Sequence, residues 1–156
     1  MLNNIKAAII DLDSTMLDTA PDFHYAVNRM RAEMDLAPLD IATIKNFVGK
    51  GTENLMRRVL AVDFNAADVE QRFEHAMTSY LQHYLSINGD YTALYPGVID
   101  GLDALQAKGL RLACVTNKPI AFAAPLREMK GLARYFEVTY GGDSLPKKKP
   151  DPYPLL

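Results

Sequence analysis

The sequence predicts an α/β protein, with a Rossmann-like parallel-sheet core and an all-helical cap subdomain inserted after the first strand. Short apolar runs alternate with helical periodicity on either side of the insert, which favours βαβ units. Between them, residues 19–85 show only helical periodicity with short connections, as in a small helical bundle. The predicted boundaries are 1–17 and 93–156 for the core and 18–92 for the insert.

Composition limits the classes of partner. The chain has 156 residues, of which 49% are hydrophobic, and its net charge of -2 argues against general nucleic-acid binding. The single cysteine, Cys114, excludes an intramolecular disulfide and fits a reducing compartment. The first apolar run is too short for a membrane span and lacks a signal-peptide cleavage region. We therefore expect a cytoplasmic monomer or homodimer with no nucleic-acid or membrane partner.

The elements follow from local patterns. Residues 5–10 are almost continuously apolar, which predicts a strand buried on both faces. In the insert, Thr19 is placed to cap the first helix, with Asp22 completing a weak capping box. The expected helices of the insert cover 19–35, 40–48, a stretch capped by Thr52, and 66–85 capped by Asn65. Beyond the insert we expect a helix over 98–108, a strand over 111–116, a helix over 119–130, a strand over 136–140 and a proline-rich tail.

Polar residues follow each predicted strand of the core. The first strand is followed by Asp11 and Asp13, and the second ends at Thr116. The third is followed by Gly141-Gly142-Asp143 and then by the lysines 147–149. The carboxyl ends of parallel strands meet at one edge of the sheet, where ligands bind in α/β folds. The sequence therefore predicts a functional site at this edge.

The residue types at that edge suit phosphoryl transfer. Ionising two carboxylates in one short loop is costly without a cation nearby, and Mg²⁺ prefers such oxygen ligands. One carboxylate can act as a nucleophile, while the second protonates the leaving alkoxide and then activates water. A threonine hydroxyl and a tail lysine can bind phosphoryl oxygens. The alternative for Asp11 and Asp13 is a strand-end turn closed by Asx hydrogen bonds.

These motifs resemble those of the haloacid dehalogenase-like phosphatases. Asp11-Leu12-Asp13-Ser14-Thr15 resembles the family's DxDGT signature, and Val115-Thr116-Asn117-Lys118 and Lys149-Pro150 resemble the second and third signatures. LYPGV, LACVTNKP, GGDSLPKKKPDPYPLL and FVGKGTENLM are similar to the phosphoglycolate phosphatase branch. The resemblance covers essentially the whole chain.

The resemblance implies a role for each matching residue. Asp11 would be the nucleophile and a Mg²⁺ ligand, and Asp13 the general acid and base, with its backbone carbonyl on the metal. Thr116 and Lys149 would hold the phosphoryl group. The implied substrate is a small phosphorylated metabolite, with 2-phosphoglycolate the best single candidate. The residues expected to contact it are Thr15, Asn117, Lys118 and the cap loop of Gly49, Lys50 and Gly51.

The sequence departs from the family pattern in two places. Ser14 stands where the family usually has glycine, which restricts the backbone beside the nucleophile. The family's fourth signature, a GDSxxD motif, would lie beyond Leu156, and Gly142-Asp143-Ser144 matches the loop before the lysine instead. We therefore expect a core that is incomplete at the C-terminus, with an unpaired strand edge and an uncovered apolar face.

Three other functions remain compatible with these residues. The chain could be a catalytically impaired or inactive fragment that acts as a binding or assembly species. A phosphomutase of the same family would share the core residues. An aspartyl-phosphate signalling domain is a weaker alternative, since such a domain has no use for an inserted cap.

Overall fold

A computed structural model describes residues 5–156 of the chain. The described chain divides into two compact units, one comprising the residues up to Asp18 with Ala93–Leu156 and the other comprising Thr19–Thr92. The domain boundaries predicted from sequence stay a prediction, and residues 1–4 of the predicted core lie outside the described residues. In chain order the elements are β1 (Ala7–Ile10), β2 (Leu17–Asp18), α1 (Ala20–Glu33), α2 (Ile41–Lys45), α3 (Thr52–Leu60), α4 (Ala66–Ile87), β3 (Ala93–Leu94), α5 (Val98–Ala107), β4 (Arg111–Val115), α6 (Ile120–Met129) and β5 (Val138–Tyr140).

The first unit is built on a parallel three-stranded sheet, which confirms the predicted α/β class. Its strand order is β1-β4-β5, with Ile10 opposite Cys114 and Val115 opposite Tyr140. The crossover from β4 to β5 contains α6, as a parallel connection requires. This register brings the carboxyl ends of the three strands to one edge of the sheet.

Only one face of this sheet is buried. Leu112 and Cys114 of β4 pack against Leu102 of α5 and Leu126 of α6. On the opposite face, Ile9 is 47% exposed and Val138 is 42% exposed. The predicted burial of residues 5–10 on both faces is therefore wrong, because only alternate residues of β1 point toward the helices. Within residues 5–156, β1 pairs with β4 alone, so the expected free edge and uncovered face are both present.

A second, two-stranded sheet lies where the chain leaves and re-enters this unit. Leu17 of β2 pairs with Leu94 of β3, and Asp18 pairs with Ala93, in antiparallel register. The backbone N–H of Tyr95 donates to the Met16 carbonyl at 3.1 Å, which extends the contact. Strands of two residues are too short to show a period in sequence, so this pairing was not predicted.

The second unit is a bundle in which α1 and α3 each pack against α4. Its core includes Met30 of α1, Leu60 of α3 and Tyr80 of α4, each almost completely buried. Arg31 is also buried, and its guanidinium group donates to the Val59 carbonyl at 3.2 Å and lies 2.8 Å from Asp63 Oδ2. Such partners are required because a buried charge without them is strongly destabilising.

The predicted helix caps are only partly correct. Asn65 caps α4 as expected, accepting a hydrogen bond from the Asp68 N–H at 3.0 Å. Thr19 occupies the N-cap position of α1, but its side chain makes no capping hydrogen bond. Gly51, rather than Thr52, is the N-cap of α3 and has a φ of 89°, which glycine adopts at little cost. The helix predicted over 40–48 is shorter in the structure, where α2 ends at Lys45.

Asp22 does not complete a capping box but joins the two ends of the second unit. Its side chain is fully buried and accepts three hydrogen bonds from the segment that follows α4. The Tyr91 N–H donates to Oδ1 at 2.8 Å, while the Gly89 N–H at 2.8 Å and the Thr92 hydroxyl at 2.6 Å donate to Oδ2. A carboxylate suits this position because both of its oxygens act only as acceptors.

We predict that Asp22→Asn lowers the free energy of unfolding by about 2 kcal/mol, because the amide N–H₂ leaves at least one buried donor without an acceptor. Urea unfolding followed by circular dichroism measures the change. The control is Asp35→Asn, at an exposed residue whose φ of 55° asparagine also adopts readily. Equal midpoints for the two variants would contradict this role of Asp22.

Candidate active site

Lys149 links the ends of two strands. Its Nζ lies 2.8 Å from Asp11 Oδ1, directly after β1, and donates to the Val115 carbonyl at the end of β4 at 2.7 Å. The Asn117 side-chain amide donates to the Lys149 carbonyl at 2.8 Å, so the backbone of this lysine is also held. The tail thus delivers one ammonium group to the edge of the sheet where the first aspartate lies.

Asp13 has a different cation as its partner. The Lys118 Nζ lies 3.1 Å from Asp13 Oδ1, and the Thr116 hydroxyl lies 3.5 Å from Oδ2, at the limit of a hydrogen bond. The Lys118 side chain is only 3% exposed and that of Asp13 is 11% exposed. The structure pairs the Lys118 ammonium group with Asp13, and its predicted contact with substrate stays a prediction.

The two aspartates differ in access to solvent. The Asp11 side chain is 39% exposed, whereas Asp13 is enclosed by the turn that carries Thr116 and Lys118. An incoming phosphate group can therefore approach Asp11 more readily than Asp13. Together the four side chains carry no net charge, because the carboxylates of Asp11 and Asp13 pair with the ammonium groups of Lys149 and Lys118.

The turn after β4 is held by its own side chains and by the Gly141-Gly142 pair. The Thr116 hydroxyl accepts a hydrogen bond from the Lys118 N–H at 3.1 Å, and the Gly142 N–H donates to the Lys118 carbonyl at 2.8 Å. A Cβ on Gly142 would lie 2.3 Å from the Asn117 carbonyl oxygen, so no larger residue fits without backbone movement. Both glycines directly follow the third predicted strand, at the edge of the sheet where the sequence predicts a site, but their close approach to the turn after β4 was not predicted.

Asp143 belongs to the same arrangement. Its Oδ1 accepts a hydrogen bond from the Ile120 N–H, at the start of α6, at 2.8 Å. This contact joins the loop after β5 to the start of α6. Lys147 forms an exposed ion pair with Asp151, so it contributes little to stability.

The turn between β1 and β2 is tightly wound. Ser14 has a φ of 59°, in the left-handed region that favours glycine, and glycine is the residue that the family pattern usually has at this position. The Ser14 N–H donates to the Leu17 carbonyl at 2.9 Å. Thr15 is exposed at the tip of this turn. Among the described residues, no hydrogen bond or ion pair joins Thr15 to the lysines, so its predicted substrate contact stays a prediction.

The predicted substrate loop belongs to the second unit. Gly49, Lys50 and Gly51 connect α2 to α3, and both glycines have positive φ, 114° and 89°. Lys50 is exposed, so its ammonium group is available to a ligand. The role of this loop in reading a substrate also stays a prediction.

Cys114 is excluded as a reactive group. It lies in the core below the site, and burial, followed by the nearby Asp11 carboxylate, raises the pKa of its thiol to about 12. The thiol therefore stays protonated at neutral pH and is neither a nucleophile nor a metal ligand. Across residues 5–156 there is also no group of three or more His, Cys, Asp or Glu side chains placed to hold a metal.

The chain belongs to the haloacid dehalogenase-like hydrolases, whose family model matches residues 5–156. It is 49% identical over 152 residues to a phosphoglycolate phosphatase of Nitrosospira multiformis and 43% identical over 156 residues to one of Thiobacillus denitrificans, covering 97% of this chain in each case. A crystal structure of a predicted phosphoglycolate phosphatase from Haemophilus somnus superposes with a TM-score of 0.90 at 28% identity, covering 99% of this chain and 70% of that one. The match covers 67% of each of the two curated relatives.

No helix in the described part of the chain has the length and apolar character needed to cross a membrane. The expected absence of a membrane partner concerns the whole protein and stays a prediction.

We predict that Gly142→Ala lowers the free energy of unfolding by about 2 kcal/mol, because its Cβ would overlap the Asn117 backbone. The matched control is Gly101→Ala in α5, where an added Cβ meets nothing within 4 Å. Alanine there should raise the free energy of unfolding by up to about 1 kcal/mol. Urea denaturation of both variants measures the contrast, and the same sign for both would contradict the close approach.

We predict a coupling free energy of at least about 1 kcal/mol between Lys118 and Asp13, since removing either partner leaves an enclosed charge unpaired. The double-mutant cycle uses Lys118→Met, Asp13→Asn and the combined variant, with unfolding in urea as the readout. The exposed Arg111–Glu137 pair, at 2.7 Å, serves as the control cycle, and its coupling should be near zero. Equal coupling in the two cycles would show that burial does not strengthen the Lys118–Asp13 pair.

Proposed function

We propose that this chain carries the catalytic residues of a Mg²⁺-dependent phosphatase that hydrolyses 2-phosphoglycolate through an aspartyl-phosphate. The observation behind this proposal is the position of the Lys149 ammonium group, 2.8 Å from an aspartate that remains 39% exposed. A fixed cation beside an accessible carboxylate suits attack on a phosphoryl group, because it stabilises the charge that develops on the phosphoryl oxygens.

Asp11 is the nucleophile in this proposal. One of its carboxylate oxygens attacks phosphorus and the P–O bond to the leaving alkoxide breaks. Asp13 enters this step in its protonated form and gives that proton to the alkoxide, which leaves Asp13 as a carboxylate. Asp13 then removes a proton from water, whose oxygen attacks the aspartyl-phosphate and releases inorganic phosphate. Lys118 positions Asp13 for both proton transfers through their contact at 3.1 Å.

The donor set at this edge fits Mg²⁺. Asp11 presents two hard oxygen atoms at an accessible position, and Mg²⁺ is commonly bound by one or two carboxylates together with water and substrate phosphate. Asp11 and the backbone carbonyl of Asp13 would hold the ion. When bound, Mg²⁺ would offset the negative charge of the phosphoryl group.

The choice of 2-phosphoglycolate is supported by the relatives that carry the name phosphoglycolate phosphatase at 49% and 43% identity. Gly49, Lys50 and Gly51 are proposed to contact the part of the substrate that differs between phosphate esters. Thr116 and Asn117 are proposed to border the phosphate through the turn after β4. A small metabolite as substrate also supports a cytoplasmic location.

The test is release of inorganic phosphate from 2-phosphoglycolate by the chain with and without MgCl₂. Asp11→Asn should reduce turnover by at least about a thousandfold, because it removes the attacking oxyanion. Asp35→Asn, an exposed aspartate in the second unit, is the control and should leave turnover unchanged. Acid-quenched protein should carry a phosphoryl group on Asp11 during turnover.

The possible results separate the alternatives. Turnover that survives Asp11→Asn would disprove the nucleophile assignment. Release of phosphate from other small esters but not from 2-phosphoglycolate would overturn the substrate and leave the chemistry. Isomerised sugar phosphate without phosphate release would indicate a phosphomutase, and a folded chain without turnover would indicate the inactive fragment.

A further inference from the structure

A groove on the second unit carries no residue of the proposed active site. It has a volume of about 510 Å³ and lies between α1, the first residue of α2 and Tyr91. We call it the tyrosine groove, after Tyr25 and Tyr91 on its walls. Its volume falls within the range of small-molecule sites.

The walls of this groove are fixed by partly buried polar contacts. The Tyr91 N–H donates to the fully buried carboxylate of Asp22 at 2.8 Å. Elsewhere on the lining, the Asn28 amide donates to the Leu39 carbonyl at 2.9 Å and accepts from the Leu39 N–H at 2.8 Å. These contacts hold the segment leading to Ile41. The groove therefore exists before any ligand enters, which reduces the entropic cost of binding.

The groove offers flat aromatic surface to a ligand. The ring centroids of Tyr25 and Tyr91 are 5.7 Å apart, with 33° between the ring planes. Tyr91 remains 53% exposed and Ile41 39% exposed, although both line a concave surface. Aromatic side chains favour planar aromatic partners in stacked or edge-to-face contact.

Arg29 is the charged side chain on the lining of the groove, and it favours an anionic ligand. The lining contains neither aspartate nor glutamate. Three carboxylates close to the groove have hydrogen-bond partners of their own: Asp22 accepts three hydrogen bonds, Asp40 accepts from the Thr43 N–H at 2.7 Å, and Glu33, which also interacts with Arg29, binds Ser79 and His83. A guanidinium group beside aromatic rings binds an anion through paired N–H donors.

We propose that the tyrosine groove binds a planar aromatic carboxylate, with its ring against Tyr25 and Tyr91 and its carboxylate on Arg29. This ligand differs in chemistry from the aliphatic phosphate ester proposed for the active site. The proposed catalytic side chains all lie in the first unit, and the tyrosine groove lies entirely in the second.

The test is a two-dimensional ¹H–¹⁵N NMR titration of the whole chain with three matched probes. The probes are 2-naphthoate, its saturated analogue decahydro-2-naphthoate, and the neutral 2-naphthamide. We expect saturable shifts at the Tyr91 backbone amide and the Asn28 side-chain amide with 2-naphthoate. The saturated and neutral probes should bind at least about threefold more weakly, because each lacks one of the two interactions.

Variants locate the site on the protein. Arg29→Gln and Tyr91→Leu should each weaken 2-naphthoate binding by at least about threefold, and both change exposed side chains. Arg111→Gln, which removes an exposed guanidinium group from the first unit, should leave binding unchanged. Excess inorganic phosphate should not displace the probe.

Three results would overturn the proposal. These are an absence of saturable shifts, equal binding of the three probes, and shifts centred on residues 116–118 and displaced by phosphate. The last result would place the probe on the lysines of the proposed active site.

Discussion

The contact between Lys149 and the two strand ends is the interaction on which the candidate site depends. Its ammonium group joins Asp11, after β1, to the carbonyl of Val115, the last residue of β4. A strand-end carbonyl has no further partner within its own strand, and here the Lys149 ammonium group donates to it while pairing with the Asp11 carboxylate. The Lys149 side chain makes both contacts. They fix the tail to the edge of the sheet at which the catalytic residues are proposed.

The two lysines pair with different aspartates. Lys118 is buried and holds Asp13 within the turn, whereas Lys149 remains partly exposed beside Asp11. The glycine pair after β5 allows this turn to lie close to the neighbouring chain, since Gly142 approaches the Asn117 carbonyl more closely than any side chain would allow. Asp13, proposed for proton transfer, and Asp11, proposed as the nucleophile, thus differ in their access to solvent.

Much of the fold and the identity of the charged residues could be predicted from sequence, because both follow from local patterns. The polar residues directly after apolar runs indicated the edge of the sheet, and the spacing of Asp11, Thr116 and Lys149 matched known motifs. The partners of these residues could not be predicted, because they depend on tertiary contacts. The ion pair of Lys118 with Asp13 was not predicted, and Asp22 was expected to cap its own helix but binds residues 67 to 70 positions later. The apolar run of β1 did not itself show that Ile9 is exposed, since such a run looks the same whether one or both faces are covered; the expected uncovered face came from the family motif that the sequence lacks.

The short β2–β3 pair has a consequence for how such a protein can be assembled from parts. Asp18 and Ala93 are directly paired in antiparallel register, so the chain enters and leaves the helical unit at adjacent points. Paired residues of this kind are separated by only about 5 Å between Cα atoms, a gap that a two-residue turn closes. The whole of Thr19–Thr92 could be exchanged for a hairpin turn or for another helical module without altering the register of the first unit. The pairing of Asp18 with Ala93 thus makes this crossing point suited to insertion or replacement of a whole unit in the chain.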